Sequence, residues 1–290
     1  METQKIILDT DIGDDIDDAL ALAVALNSPE LKLCGVTTVF RNAPRRAVLA
    51  RHLLQTFGHE KIPVVAGCSK PLLQTFDPQL GTQFAVLQDD VWDETAHAVD
   101  FIIKAARVDD EPDPENLLTL VPIGPLTNIA VALAREPELI PRVRIVLMGG
   151  QWSQPGAEWN IVCDPEAAAI VFNSGAEISM VGLDVTMRCC LEPAHIETIA
   201  QKGGAQSKLL SQLIRLWQGD AGHAPVLHDP LALLTLFDDS VKFEDKRIEV
   251  VLCGAERGRT MVVEGEANAR VAVDVDAPRA VEAFMSRVLA

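Results

Sequence analysis

Ile6-Ile7-Leu8-Asp9-Thr10-Asp11-Ile12-Gly13-Asp14-Asp15-Ile16-Asp17-Asp18-Ala19-Leu20-Ala21-Leu22 is the stretch on which the fold turns. Ile6 to Leu8 has the residue types of a short buried strand. Six aspartates follow between positions 9 and 18, with Gly13 among them, and then an alanine- and leucine-rich helical run. The helix dipole and free N–H groups at a helix start account for one or two carboxylates. They do not account for six, which repel one another at close quarters. A bound cation is the simplest way to hold them ionised, and all-oxygen ligands suit Ca²⁺ or Mg²⁺ rather than a soft metal. The strand in front carries these aspartates to a sheet edge where α/β enzymes keep their ligands.

Outward from that stretch the same pattern repeats. Strands are expected at Leu33 to Val39, Pro63 to Gly67, Leu117 to Val121, Arg144 to Met148 and Ile178 to Val181. Helices are expected at Ala43 to Thr56, Glu94 to Val108, after Asp164-Pro165 and over Ala194 to Leu216. Leu72 to Asp93 is irregular, with Asp77-Pro78 and Gly81 as breakers, and Asp109 to Glu115 reads as an acidic turn. Arg247 to Cys253, Thr260 to Val263 and Ala269 to Val275 read as antiparallel strands before a closing amphipathic helix from Pro278 to Leu289. Alternating strand and helix predict an α/β fold, a Rossmann-like and mainly parallel sheet flanked by helices, with a small antiparallel C-terminal addition. No linker or composition shift divides the chain, so residues 1–290 are read as one domain.

The balance of 25 Lys and Arg against 42 Asp and Glu leaves a net charge of −17, which argues against nucleic acid or an anionic membrane as partner. No signal peptide is visible, and the apolar run Ala19 to Leu26 is too short to span a bilayer. The six cysteines show no C-x-x-C spacing and read as reduced core residues of a cytoplasmic protein.

Further polar clusters follow predicted strands: Thr37 to Asn42 and the Ile123-Gly124-Pro125 turn. Glu158-Trp159-Asn160 and His228-Asp229 precede helices. Carboxylates, amides and a histidine converging at one sheet edge suit a metal-bound polyhydroxyl ligand. Taken together these residues resemble the inosine–uridine nucleoside hydrolase family over nearly the whole chain. The matching stretches are Asp9-Thr10-Asp11 with Asp17-Asp18-Ala19-Leu20, Val36-Thr37-Thr38-Val39 with Asn42, and Ala66-Gly67-Cys68-Ser69-Lys70-Pro71-Leu72. Further on come Gly124-Pro125-Leu126-Thr127-Asn128, Leu147-Met148-Gly149-Gly150, Glu158-Trp159-Asn160, Asp164-Pro165-Glu166-Ala167, Val181-Gly182-Leu183-Asp184 and His228-Asp229-Pro230.

The resemblance implies hydrolysis of the N-glycosidic bond of ribonucleosides on a Ca²⁺ ion at the C-terminal edge of the sheet. Asp11 would ligate Ca²⁺ and act as general base on a metal-bound water, with Asp18, the Ile123 carbonyl and Asp229 completing the protein ligands. Asp17, Asn42, Glu158 and Asn160 would bind ribose hydroxyls, and His228 would face the departing base. A homodimer or homotetramer is implied as well. The chain departs from the family pattern twice. Asp14-Asp15-Ile16 stand between Gly13 and the Asp-Asp pair where the family has one residue, which makes Asp15 the alternative metal ligand to Asp18. The family's His-Gly and Gly-Leu-Gly loop is replaced by Phe76-Asp77-Pro78-Gln79-Leu80-Gly81-Thr82. The chain has no tyrosine, so base stacking falls to Trp or Phe, with Trp217 favoured and Trp92, Trp152 and Trp159 read as packing.

Simpler readings stand beside these. Asp229-Pro230 is also the pattern of a helix N-cap with proline at N1, Asn42 can simply end a strand, and Asp164 is read as a cap. Two rival functions share the motif: a non-catalytic ribose- or calcium-binding protein on the same fold, and a Mg²⁺-dependent phosphatase of haloacid-dehalogenase type. The phosphatase wants Thr or Val where Gly13 stands. An EF-hand loop fails because Asp14 holds its glycine position and Leu20 its final glutamate position.

Overall fold

A computed structural model describes residues 3–87, 91–92, 94–107 and 117–290. The predicted acidic turn from Asp109 to Glu115 lies outside the described residues. Nine strands form one sheet: β1 (Gln4–Thr10), β2 (Leu31–Thr38), β3 (Val64–Ala66), β4 (Leu118–Pro122), β5 (Val143–Met148), β6 (Glu177–Val181), β7 (Val241–Val250), β8 (Thr260–Val263) and β9 (Ala269–Val275). The helices are α1 (Asp17–Asn27), α2 (Ala43–Thr56), α3 (Ala98–Ala106), α4 (Thr127–Arg135), α5 (Trp159–Cys163), α6 (Pro165–Phe172), α7 (Leu183–Thr186), α8 (Pro193–Lys202), α9 (Gly204–Ala221), α10 (His228–Leu234) and α11 (Ala277–Val288).

The strand order is β3-β2-β1-β4-β5-β6-β9-β7-β8. The pairings from β3 through to β9 are parallel, while β7 is antiparallel to both β9 and β8. The three C-terminal strands are antiparallel as predicted, with β7 between the other two, and β9 also joins the parallel sheet beside β6. β7 also starts six residues before the predicted Arg247. Its Lys242, Glu244, Asp245 and Lys246 break the apolar alternation by which a strand is recognised in sequence. The predicted helix from Ala194 to Leu216 is two helices, split at Gly203, whose φ of 78° a helix cannot continue through.

Strand order places the site. The chain runs outward from β1 to β2 and β3, then returns to the other side of β1 as β4. Loops leaving β1 and β4 therefore diverge and open a crevice above their C-terminal ends, the usual ligand position in such sheets. Helices cover both faces of β1. Ile6 and Leu8 join the apolar cluster containing α1, α10 and α11, while Ile7 joins the cluster with α3, α4 and α6. All three are fully buried, as expected for a central parallel strand. Helix α1 is buried from Asp17 to Ala25, which explains an alanine-rich composition that lets α10 and α11 approach closely.

No helix among the described residues is long and apolar enough to cross a membrane. The cysteines are all free, but Cys190 and Cys253 are exposed, so the prediction of core residues holds only for part of the set.

Candidate active site

The six aspartates from the end of β1 to the start of α1 have different fates. Asp9, still within the strand, is fully buried, and its Oδ1 accepts from Thr37 Oγ1 and from Asn128 Nδ2 at 2.8 Å. Burial pushes its carboxyl up to about 7 against those two hydrogen bonds. It ties β1 to β2 and α4, since the Asn128 amide also donates to Thr38 and accepts from Cys68 N–H. Asp14 accepts from Arg41 at 2.9 Å and from Arg46 at 2.8 Å. Asp15 is exposed, its carboxylate turned to its neighbour's N–H at 2.6 Å. Asp11, Asp17 and Asp18 are buried and face the crevice.

Asp17 and Asp18 open α1, and Asp229 comes from the first turn of α10. One carboxylate oxygen of each lies within 4.8 Å of the others. Burial first, then repulsion from neighbouring aspartates of the loop and the group itself, holds all three carboxyls well above the usual range. Among the described residues none of them pairs with a lysine or arginine. Thr10 Oγ1 donates to Asp18, and the Asp229 backbone N–H faces Asp17. The capping reading of Asp229 fails: Leu227 holds the cap position of α10, and no side chain caps it. The more distant Arg46 opposes the upward shift at Asp18, and three buried carboxylates without a direct ion pair are a fit for a hard divalent cation.

A cleft of about 410 Å³ is lined by these three aspartates, Asp11, Asp14, Asp15, Arg41, Ile123, Met148, Glu158, Trp159, Asn160, Leu183 and His228. Asp11 stands outside the group of three but adds its charge to each of them. Burial pushes its own carboxyl up to about 7, opposed by the Arg46 guanidinium. Gly124 lies against it: a Cβ there would sit 2.6 Å from Asp11 Oδ1, so the turn after β4 needs glycine. Glu158 caps α5, accepting from Asn160 N–H at 2.8 Å, Gly150 N–H at 3.0 Å and Ile161 N–H at 3.1 Å. Burial raises its carboxyl against those three donors. Asn160 Nδ2 donates to the carbonyls of Ile123 at 3.0 Å and Met148 at 3.3 Å, fixing the Ile123 carbonyl at the cleft. His228 Nδ1 lies 2.7 Å from Thr186 Oγ1. Burial, with a smaller push from His223, lowers its imidazole to about 4, so the ring is neutral at pH 7.

Of the residues expected from sequence, Asp11, Asp15, Asp17, Asp18, Ile123, Glu158, Asn160, His228 and Asp229 line one cleft. Asp15 does so from its exposed rim and outside the buried group of three. Asn42 and Trp217 are not among the lining residues. Asn42 caps α2, accepting from Arg45 N–H at 3.1 Å. Trp217 is buried in α9 with its ring edge toward His223, 5.0 Å between centroids. The tryptophan at the cleft is Trp159, half exposed and read as packing from sequence alone. Asp164 caps α6 as expected, and its Oδ2 also accepts from Thr127 and Leu72.

Sequence reasoning also passed over Arg41, Arg46, Asp14 and the turn at 82–86. Arg46 is fully buried and donates to the carbonyls of Asp11, Ile12 and Phe40 as well as to Asp14. From the other side, Gln83 Nε2 donates to the Asp15 carbonyl. Gly81 presses on the same loop so closely that a Cβ would come 2.2 Å from the Gly13 carbonyl. The two departures from the family pattern are thus one structural feature: the lengthened acidic loop is held by the segment that replaces the glycine-rich loop. Only the offset between Gly13 and Asp17 pointed to it in the sequence.

The comparisons agree with this geometry. The family model described as inosine-uridine preferring nucleoside hydrolase matches residues 6–282. Proteins described as pyrimidine-specific ribonucleoside hydrolase RihB, from Shigella flexneri and Escherichia coli strain SE11, are 35% identical over 303 aligned positions. The match covers 95% of this chain and 94% of theirs. Among solved structures, a plant nucleoside hydrolase superposes with a TM-score of 0.87 at 28% identity, covering 99% of both chains. A purine-preferring ribonucleoside hydrolase from Gardnerella vaginalis superposes with a TM-score of 0.84 at 31% identity, covering 99% of this chain and 98% of that one. A match over nearly the whole chain, on a fold with a carboxylate-lined cleft, leads to one conclusion: the chain belongs to the inosine–uridine preferring nucleoside hydrolase family and is an N-glycosidase acting on nucleosides.

Proposed function

We propose that this enzyme hydrolyses ribonucleosides to ribose and free nucleobase, with Asp11 as the general base and Ca²⁺ as the resident ion. The observation that supports it best is the buried group Asp17, Asp18 and Asp229, which among the described residues forms no ion pair with a basic side chain and which opens to the cleft that Asp11 lines. Asp18, Asp229, Asp11 and the Ile123 carbonyl would hold the ion, and Asp17 is close enough to Asp18 and Asp229 to share that role. When bound, Ca²⁺ supplies positive charge that lowers the pKa of an adjacent water and binds sugar hydroxyls.

The chain's own residues then divide the work. The Asp11 carboxylate accepts the proton of the attacking water, a step worth roughly 10²–10⁴-fold. Glu158, fixed in place by the N–H groups of Gly150, Asn160 and Ile161, would accept from a ribose hydroxyl. Asn160 presents its carbonyl to the sugar while its amide holds Ile123 in place. As the C1′–N bond lengthens, the sugar takes on oxocarbenium character, which the surrounding carboxylates favour. His228 stands where the base departs. The phosphatase alternative has no support in the family match, and the enzymatic relatives speak against a non-catalytic binding protein.

The test is a screen of purine and pyrimidine ribonucleosides for reducing-sugar release, both classes being needed because the relatives include pyrimidine-specific and purine-preferring enzymes. Wild-type protein with Ca²⁺ should release ribose, and Asp11→Asn should lower kcat by about 10²–10⁴-fold while remaining folded. Binding of nucleosides without turnover would instead support the non-catalytic alternative. An Asp11→Asn variant keeping a tenth of wild-type turnover would remove Asp11 from the role of base.

A further inference from the structure

Thr186 ends the short helix α7 that follows β6, and it is fully buried. Its backbone N–H is already used, donating to Gly182. Its hydroxyl lies 2.7 Å from Nδ1 of His228 and has no other partner among the described residues. The His228 ring likewise has no second hydrogen bond among them, and its helix begins without a side-chain cap. One contact therefore sets the ring. A hydroxyl carries one proton, and Nδ1 is its one partner among the described residues. If the hydroxyl donates, Nδ1 is unprotonated and a neutral imidazole must carry its proton on Nε2, the nitrogen on the far side of the ring. His228 lines the cleft, and with Nδ1 held by the buried Thr186 the far side of the ring is the part left to face a ligand.

We propose that Thr186 is a positioning residue that locks His228 in the Nε2–H tautomer, making it a hydrogen-bond donor toward the departing nucleobase. The inference rests on the reading of His228 as the group facing the base. When the C1′–N bond breaks, both electrons go to the heterocycle, and the charge spreads over its ring nitrogens and carbonyl oxygens. An N–H aimed at that charge stabilises it, whereas the opposite tautomer would turn a lone pair toward it. Nothing covalent changes at the histidine. The energetic difference between the two orientations is that of a well-placed hydrogen bond against a repulsive contact.

Two variants and two readouts test this on the full-length, Ca²⁺-loaded protein. Thr186→Val deletes the hydroxyl at nearly constant volume, and Thr186→Ser keeps it. Long-range ¹H–¹⁵N spectra, with the His228 signals assigned by their loss in His228→Gln, should show an unprotonated Nδ1 and a protonated Nε2 in the wild type. Thr186→Val should average the two signals, and Thr186→Ser should restore the pattern. In turnover, Thr186→Val should lower kcat/KM for the nucleoside on the order of 10-fold, the scale of one hydrogen bond. It should change p-nitrophenyl riboside, whose phenolate leaves unaided, by less than about twofold. A proton on Nδ1 in the wild type, or an unchanged spectrum in Thr186→Val, would overturn the inference. Equal losses on both substrates would overturn it too, leaving Thr186 a packing residue. A wild type that releases ribose from no nucleoside would fail the functional reading instead, while the spectra still decide the tautomer.

Discussion

Replacing Asp229 by asparagine should stabilise this protein in chelator and destroy its response to calcium. Asp17, Asp18 and Asp229 place carboxylate oxygens within 4.8 Å of one another. Two unit charges at that spacing repel by about 3–4 kcal/mol at an effective dielectric of ~20. Asparagine removes two of the three repelling pairs, and its amide hydrogens gain the two remaining carboxylates as acceptors. Wild-type protein escapes part of the repulsion by taking up protons, at a cost of ~1.4 kcal/mol for each pH unit above the ordinary carboxylate pKa. Allowing for relaxation and water entry, the net gain at pH 8 is on the order of 2–4 kcal/mol. For a chain of this size that is roughly 3–7 °C in melting temperature. The pH dependence has a definite sign. A carboxyl whose folded pKa is raised binds more protons folded than unfolded, so its contribution is fully present below its ordinary value near 3.8 and lost as pH rises through the raised value. The gap between variant and wild type should therefore be small near pH 5 and widest at pH 8. With Ca²⁺ at ~100 times its dissociation constant, wild type should recover about 2.7 kcal/mol by linkage and Asp229→Asn almost none. Differential scanning calorimetry in chelator and in Ca²⁺, at both pH values, reads all four states. An Asp229→Asn protein that melts below wild type in chelator at pH 8, or a gap that does not widen with pH, would refute the reasoning.

Two further outcomes follow from the acidic loop. Asp15 is exposed and outside the buried group, so Asp15→Ala should keep Ca²⁺ affinity within a few-fold while Asp18→Ala loses it by titration calorimetry; the reverse result would make Asp15 the ligand. Gly81→Ala would bring a methyl group 2.2 Å from the Gly13 carbonyl, a backbone atom that can yield only by moving the loop. It should cost about 1–3 kcal/mol and weaken Ca²⁺ binding together with stability. Destabilisation with unchanged Ca²⁺ affinity would show that the turn at 82–86 does not set the site.

Local pattern carried far in this chain where the physical cause is local. Ile6-Ile7-Leu8 reads as a buried parallel strand because both of its faces must be apolar, and both are covered. Asp164-Pro165 reads as a helix start because one side chain and one ring suffice to make it. His228-Asp229-Pro230 has the same look, yet its aspartate caps nothing. What separates the two is where the carboxylate points after α1 and α10 have packed together, which no window of sequence contains. The same holds for Trp159 and Trp217. Side-chain type told which residues are able to stack on a base, but only the path of the loop after β5 brought Trp159 to the cleft and left Trp217 in the interior of α9.

The α/β class, the edge of the sheet at which chemistry is placed and the acidic character of the site are all legible in the order of the residues. Those follow from hydrophobic period, strand–helix alternation and charge, properties of neighbouring residues. Tertiary structure alone decided how six aspartates were shared among a structural tie at Asp9, an ion pair at Asp14, a rim at Asp15 and a buried site at Asp11, Asp17 and Asp18. It also joined Asp229 and Thr186 to that site from elements far along the chain. Burial and distance fix a carboxylate's partners and protonation, and both come into being only when the elements pack.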